Sequence, residues 1–505
     1  MAVYDLTILH TNDFHARFEP ISRFDSGCGA EDNLEGKCFG GTARLITAIQ
    51  DARERAGNSL LLDGGDQFQG TLYYTYYKGK VAAEMMNKLG YDAMTVGNHE
   101  FDDGPEVLRG FMDAVRFPVL MSNADATREP ALRGVIKKSV IIEVGGQKIG
   151  LIGLTPQDTH ELASPGKNIT FSDPVPAVQA QVNKLGAQGV NKIIVLSHSG
   201  YEVDKQVAEQ TTGVDVIVGG HTNTYLSNSS GDAKGPYPTM VGKTAIVQAY
   251  AYGKFLGELA VRFDDAGEII SASGEPIIMD AWVKEDKAVV ARLATLAKPL
   301  DEIRNKVVAT IRQPINGDRN VCRVMECQMG NLVADAMLDA VAGQGVTIAL
   351  ANSGGLRASI DSGPVTMGEV LTVLPFQNTP STFRVSGQTV IDALENGVSQ
   401  IEEVKGRFPQ VAGLTFTFDA TIPPNQGRIQ SVMVSENGAW LPIDPAAQYY
   451  LVSNNYVRGG GDGYRMFATA EDVYDFGPDL ADVVAGYLAA RPNYTPITEG
   501  RIQQK

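Results

Sequence analysis

Short apolar runs and amphipathic stretches alternate along the first half of the chain. LTIL (6–9), SLLL (59–62), AMTV (93–96), KIIVLS (192–197) and DVIVGG (215–220) have the length and branched side chains of buried strands. Between them, ARLITAIQDARERA (43–56) and VQAQVNKLGAQG (178–189) repeat their apolar residues at helical spacing. Strand and helix in alternation predict a layered α/β domain over residues 1–285. DKAVVARLATLAKPLDEIRNK (286–306) then predicts a charged connector helix, broken near Lys298-Pro299. After it the pattern restarts with Gly-rich loops and alternating strands such as LTFTFDA (414–420), so a second α/β domain is expected over 307–505. No internal repeat or long low-complexity tract interrupts this order.

The polar residues that follow the apolar runs change the picture. LTILH leads into Asp13 and His15, SLLLDGG into Asp66, and AMTVG into Asn98, His99 and Asp102. KIIVLS leads into His198, and DVIVGG into His221 and Asn223. In α/β sheets, ligand sites lie beyond the carboxyl ends of the strands. Asp13 and His15, two apart on an extended segment, are expected to reach one ion. Carboxylate, amide and imidazole suit Zn, Mn or Fe, and Asp66 at a Gly-rich strand end is the natural carboxylate bridge between two metals. A single Asp at a strand end is ordinarily a cap or turn residue. Here four of the six histidines fall at such ends, and it is this joint pattern that points to a metal centre. His10 is expected to be structural.

Composition narrows the function class. The 43 Lys and Arg against 59 Asp and Glu give a net charge of −16, which disfavours binding to a nucleic-acid polymer but not to a small anion at a local site. No apolar run is long enough for a membrane helix, and Met1-Ala2 leads straight into VYDLTILH without a signal peptide. The four cysteines fall into two local pairs, Cys28 with Cys38 and Cys322 with Cys327, neither at C-x2-C spacing. Two short-loop disulfides and an extracytoplasmic location (secreted, periplasmic or cell-surface) are expected; four free thiols in a cytoplasmic enzyme are the alternative. N-x-S/T occurs at Asn168, Asn228 and Asn493 and carries little weight. Gly242-Lys243-Thr244 matches the end of a phosphate-binding P-loop, but its leading glycine is misplaced, and no G-x-S-x-G elbow supports a serine hydrolase.

LHTNDFHARFE, LLLDGGDQFQG, TVGNHEFD, SHSG and VGGHTN, followed by CRVMECQMGN, ANSGGLR, LPFQNT and NNYVRGGGDGY, resemble the 5′-nucleotidase family of dinuclear metallophosphoesterases. The cysteine pairs look closer to the animal ecto-5′-nucleotidases. The resemblance spans nearly the whole chain. It implies a layered α/β metallophosphoesterase domain (a β-sandwich flanked by helices), a connector helix and a C-terminal α/β nucleotide-binding domain. It also implies two divalent metal ions, zinc first, with manganese or another divalent ion as alternatives. Asp13, His15 and Asp66 would hold one, with Asn223 nearby; Asp66, Asn98, His198 and His221 would hold the other. His99 and Asp102 match the catalytic pair. In the second domain Phe376 and Tyr456 match base-stacking aromatics, Asp462 the acid that takes ribose hydroxyls, and Arg323 and Arg357 phosphate-side arginines. Asn352 matches a neighbouring polar contact, and Arg319 a further arginine of the bacterial hydrolases. The loop after Phe376 departs from the Gly-Gly form of the animal enzymes, which leaves the base preference open. The implied activity is hydrolysis of nucleoside 5′-monophosphates by in-line attack of a metal-bound hydroxide. Apyrase-like, UDP-sugar and 2′,3′-cyclic nucleotide hydrolysis are the enzyme alternatives, and a nucleotide-binding protein without turnover is the non-enzyme one. The oligomeric state is left open.

Overall fold

The computed structural model describes residues 3–23, 27–376, 378–474 and 478–505. These form two compact units, one of residues 3–23 with Cys28–Ala297 and the other of Gly27 with the described residues of Lys298–Lys505.

The first unit is a sandwich of two six-stranded sheets. One sheet runs in the order Ile269–Ile278, Phe255–Phe263, Tyr4–Thr11, Ser59–Asp63, Ala93–Thr95 and Val119–Leu120. The other runs Thr239–Val241, Thr244–Val247, Val216–Val218, Ile193–Ser197, Gln147–Leu154 and Ser139–Val144. Leu6, Ile8, Leu60 and Leu62 from one sheet meet Ile149, Leu151, Ile194, Leu196, Val216 and Val218 from the other in the intersheet core. Leu9 and Leu61, one residue out of phase, are fully buried on the opposite face. A strand buried on both faces has no polar side to show, which is why LTIL and SLLL are continuous rather than alternating. The outer face of the second sheet packs Ile152, Val195 and Ile217 against helices Pro174–Gly186 and Tyr201–Gln210. Gly242-Lys243 is the turn of a hairpin, and Lys243 pairs with Glu268, so the P-loop-like triplet has a purely local role.

Asp215 stands just before the strand Val216–Val218, at the end remote from the polar loops, and accepts the Ile193 N–H at 2.7 Å. Burial pushes its carboxyl up to about 7, against the lowering effect of that bond. A folded-state value above the unfolded value of about 3.9 gives stability that is full below about pH 4 and declines as pH rises through 7. Asp215→Asn is expected to flatten the profile of Tm against pH across that window. A variant that keeps the wild-type slope would count against Asp215 as its source.

In the second unit a five-stranded sheet runs Pro409–Ala412, Ile348–Asn352, Gln448–Asn454, Pro380–Ser386 and Glu471–Tyr474. Strand alternation divides its side chains between two cores. Ala349, Ala351 and Val452 pack with helices Gln328–Ala340 and Leu480–Ala489, while Ile348, Leu350 and Leu451 pack with helix Gly387–Val398. The same unit holds a four-stranded sheet, Ala439–Pro442, Ile429–Glu436, Leu414–Phe418 and Ile502–Gln504, and a two-stranded one, Val307–Ile311 with Gly363–Thr366.

Helix Lys287–Arg304 continues through Pro299, so the expected break is not there. Proline removes one helical N–H and crowds the carbonyl four residues back. Leu293, Leu296, Ala297 and Leu300 are buried along the helix on both sides of that position. Cys28 is bonded to Cys38 and Cys322 to Cys327, which leaves no free cysteine among the described residues. Among the described residues no helix is long and apolar enough to cross a membrane.

Candidate active site

Parallel register sends three chain segments out of the first sheet side by side. Thr11 pairs with Asp63 and Asp63 with Met94, so the segments bearing Asp13 and His15, Asp66, and Asn98 to Asp102 emerge together. In the second sheet Leu196 pairs with Val218, and His198 leaves beside His221 and Asn223. The polar edge is therefore supplied by both layers of the sandwich.

These side chains converge in a buried cluster. His15 Nε2 lies 3.8 Å from Asp66 Oδ2 and 3.9 Å from Asp13 Oδ1. His198 Nε2 lies 2.9 Å from Asp66 Oδ2 and 3.8 Å from Asp13 Oδ1. Two groups could each hold a metal ion, His15 with Asp66 and His99, and Asp66 with His198 and His221; their ligand atoms lie within 4.8 Å of one another. Asp66 belongs to both. Backbone carbonyls orient the rings: Phe68 C=O lies 3.1 Å from His15 Nδ1, and Gly64 C=O 2.6 Å from His198 Nδ1. With Nδ1 engaged, each Nε2 is turned toward the carboxylates. His99 Nδ1 bonds Asp102 Oδ2 at 2.7 Å within the short helical turn His99–Phe101 and its cap. The His99 N–H donates to Asp66 Oδ1 at 2.9 Å, and the His221 N–H to Asp13 Oδ2 at 2.9 Å.

The expected extended geometry for Asp13 and His15 is not what brings them together. Their strand ends at Thr11, and both residues adopt left-handed backbone, with φ of 49° and 51°. Asp66, His221 and Asn223 do the same, at 60°, 72° and 48°. Non-glycine residues pay roughly 1–3 kcal/mol each for such conformations, and strain of this kind clusters at functional sites. Glycines make the close approach possible. A Cβ on Gly97 would stand 2.2 Å from Asp66 Oδ1, and one on Gly65, whose φ is 93°, would stand 2.8 Å from His198 Nδ1.

The residues fit divalent cations. Among the described residues, Asn98 Oδ1 and both amide atoms of Asn223 are buried without a hydrogen-bond partner, an arrangement that metal ligation would satisfy. Charge points the same way. Burial opposes ionisation of Asp66, yet His198, His99 and His15 hold its carboxyl well below the usual range. Burial likewise opposes an imidazolium at His198, but Asp66 and Asp13 outweigh it and raise the ring to about 10. Asp66 and Asp13 thus create a negative potential at the His198 ring, the kind of potential that attracts a cation.

Some of the supporting residues were not singled out from the sequence. Glu100 is fully buried and accepts the N–H groups of Asp66, Gln67, Phe68 and Gly97, at 2.9, 2.8, 3.1 and 2.6 Å. One carboxylate thereby ties the Asp66 loop to the Asn98 loop. Asn12 donates to Asp13 Oδ2 at 2.8 Å and accepts the Ala249 N–H at 2.9 Å. Their only signal was position, inside GNHE and HTND. His10 is structural as expected, buried against Tyr237 with Nε2 2.7 Å from its hydroxyl.

In the second unit, three of the expected residues are directly joined. Asp462, buried and left-handed at φ 52°, accepts Asn352 Nδ2 at 2.6 Å and the Tyr456 hydroxyl at 3.2 Å. Burial raises its carboxyl, against the Asn352 bond and the charges of Arg407 and Arg323. Asn352 and Phe376 line a pocket with Asn454, Leu374 and Leu480, and the Arg357 guanidinium lies 5.6 Å from the Phe376 ring centroid. Arg319 begins the helical turn Arg319–Cys322 and Arg323 caps it, with the Arg323 N–H donating to Arg319 C=O at 3.0 Å. The Cys322–Cys327 disulfide closes the loop bearing Arg323, and Gln410 donates to the Cys322 and Met325 carbonyls at 2.8 Å each.

An α/β sandwich with buried aspartates and histidines at its strand ends defines a metallophosphoesterase, and residues 6–225 match the calcineurin-like phosphoesterase family model. Residues 307–469 match the model of the 5′-nucleotidase C-terminal domain. The 5′-nucleotidase of Rattus norvegicus is 37% identical over 99% of this chain and 90% of its own length. The snake venom 5′-nucleotidase of Naja atra is also 37% identical, over 99% of this chain and 98% of its own. The crystal structure of a 5′-nucleotidase precursor from Thermus thermophilus superposes with a TM-score of 0.94 at 40% identity, covering 99% of both chains. The chain belongs to the 5′-nucleotidase family.

Proposed function

We propose that this enzyme hydrolyses nucleoside 5′-monophosphates such as AMP to nucleoside and phosphate in a metal-dependent reaction. One observation carries the chemistry: Asp66 sits between two groups of imidazole ligands in a buried cluster with unsatisfied donor and acceptor atoms. Asp13, His15 and Asp66 would hold one divalent ion with Asn223 close by, and Asp66, Asn98, His198 and His221 the second, with zinc the expected metal. Bound there, the ions supply Lewis acidity and lower the pKa of a water toward neutrality. His99, oriented by Asp102, is placed to stabilise charge on phosphoryl oxygens or to assist the leaving oxygen.

The nucleoside end is assigned to residues 307–505, joined by the connector 286–306 to the catalytic domain 1–285. Phe376 and Tyr456 would stack on the base, Asp462 would accept ribose hydroxyls with Asn352 holding its carboxylate, and Arg323, Arg357 and Arg319 would face phosphate oxygens. The contact of Arg357 with Phe376 supports placing phosphate-side and base-side groups in one subsite. The two disulfides support an extracytoplasmic location.

The test is phosphate and nucleoside release from AMP, ADP, ATP, UDP-glucose and 2′,3′-cyclic AMP, each with zinc, manganese or a chelator. Chelator-sensitive conversion chiefly of AMP is expected. Preference for another substrate would move the enzyme to a sister activity, and metal binding without any turnover would make it a binding protein.

A further inference from the structure

Gln69 belongs to the loop that carries Asp66 but has no part in the ligand set. It is buried and holds left-handed backbone at φ 66°. Its side-chain amide donates to Asp102 Oδ2 at 3.1 Å, the same oxygen that His99 Nδ1 meets at 2.7 Å. An ionised carboxylate only accepts, so the Gln69 NH2 and not its carbonyl faces Asp102. Gln69 Oε1 is buried and has no hydrogen-bond partner among the described residues. A buried amide that leaves its carbonyl unsatisfied is costly, and the bond to Asp102 is what this residue gains in return.

Resting on the reading above, we propose that Gln69 is a positioning residue: it fixes the Asp102 carboxylate and, through it, the His99 ring. The anchoring geometry agrees. Phe68, its neighbour, directs its carbonyl at His15 Nδ1, while Glu100 grips the N–H groups of residues 66 to 68. One loop therefore sets the shared carboxylate, the tautomer of one histidine and the rotamer of the acid behind another. A carboxylate that accepts two donors on one oxygen has less freedom to rotate than one that accepts a single donor, and the imidazole inherits that constraint.

The experiment is a double-mutant cycle in the metal-loaded full chain, with Gln69→Glu, Asp102→Asn and the double variant. Gln69→Glu keeps the size and replaces the donor by an acceptor. It is expected to lower kcat for AMP about tenfold, with KM and bound metal within about twofold of wild type. The double variant is expected to be no slower than Asp102→Asn alone, because Gln69 acts only through Asp102. Losses that multiply, or loss of metal in Gln69→Glu, would overturn the proposal. Gln69→Gly repeats the test with a residue at ease in left-handed backbone, should the first variant misfold. A readout independent of turnover is the His99 Nδ1 proton in the NMR spectrum of the loaded protein, expected to exchange faster with solvent in either variant. Unchanged exchange would overturn the proposal even if wild type turned over no nucleotide, an outcome that would separately sink the monophosphatase reading.

Discussion

Asp66→Asn is expected to abolish turnover, with phosphate release from AMP falling by about 10³-fold or more. Asparagine preserves the shape of the side chain, so the change isolates the carboxylate. Asp66 lies within ligand distance of both imidazole groups, and its charge is what draws His198 and His15 together. Replacing one shared anion by a neutral amide weakens both candidate sites at once, whereas loss of His15 or His221 would touch one. Metal analysis of the purified variant is therefore expected to show fewer than two ions per chain, with a circular dichroism spectrum like wild type. An Asp66→Asn protein that kept its full metal complement and a rate within about tenfold of wild type would remove Asp66 from the bridging role.

His99→Ala is expected to lower kcat by about 10²–10⁴-fold while metal content and KM stay near wild type. His99 falls within ligand distance of His15 and Asp66, yet its Nδ1 is engaged by Asp102 and its ring meets the His15 ring edge-on at 5.2 Å. As an acid–base or charge-stabilising group it can be removed without emptying the site. As a ligand it cannot, and loss of one metal in His99→Ala would reassign it. The same measurement on Asp102→Asn is expected to give a smaller loss in the same parameter, because Asp102 acts through the ring.

Much of the architecture was legible along the chain. The runs LTIL, SLLL, KIIVLS and DVIVGG are strands buried on both faces, and continuous apolar character is the direct consequence of having no solvent side. The candidate ligands immediately after such runs could be placed at carboxyl ends because a strand leaving the core has to become polar there, and Asp and His recurring at several such ends is the pattern that pointed to a metal centre. The cysteine pairs were legible for a similar reason, since ten and five residues of separation make closure local. Less legible was the route by which the ligands converge. Asp13 and His15 are not on an extended segment, and Pro299 does not end its helix. In each case contacts made elsewhere in the chain outweigh the local preference.

What the amino-acid order determined by itself is therefore the five strands that lead into the site, the residue types at their ends and the chemistry those types permit. Tertiary structure alone decided which sheet supplies which candidate ligand, that Asp66 belongs to both groups, and that Glu100 ties the Asp66 loop to the Asn98 loop while Gln69 bonds Asp102. The physical reason is range. Strand formation, burial and capping depend on neighbours within a few residues, whereas the meeting of Asp13 with His221, 208 residues apart, depends on two sheets packing and on five strained backbones being held by that packing.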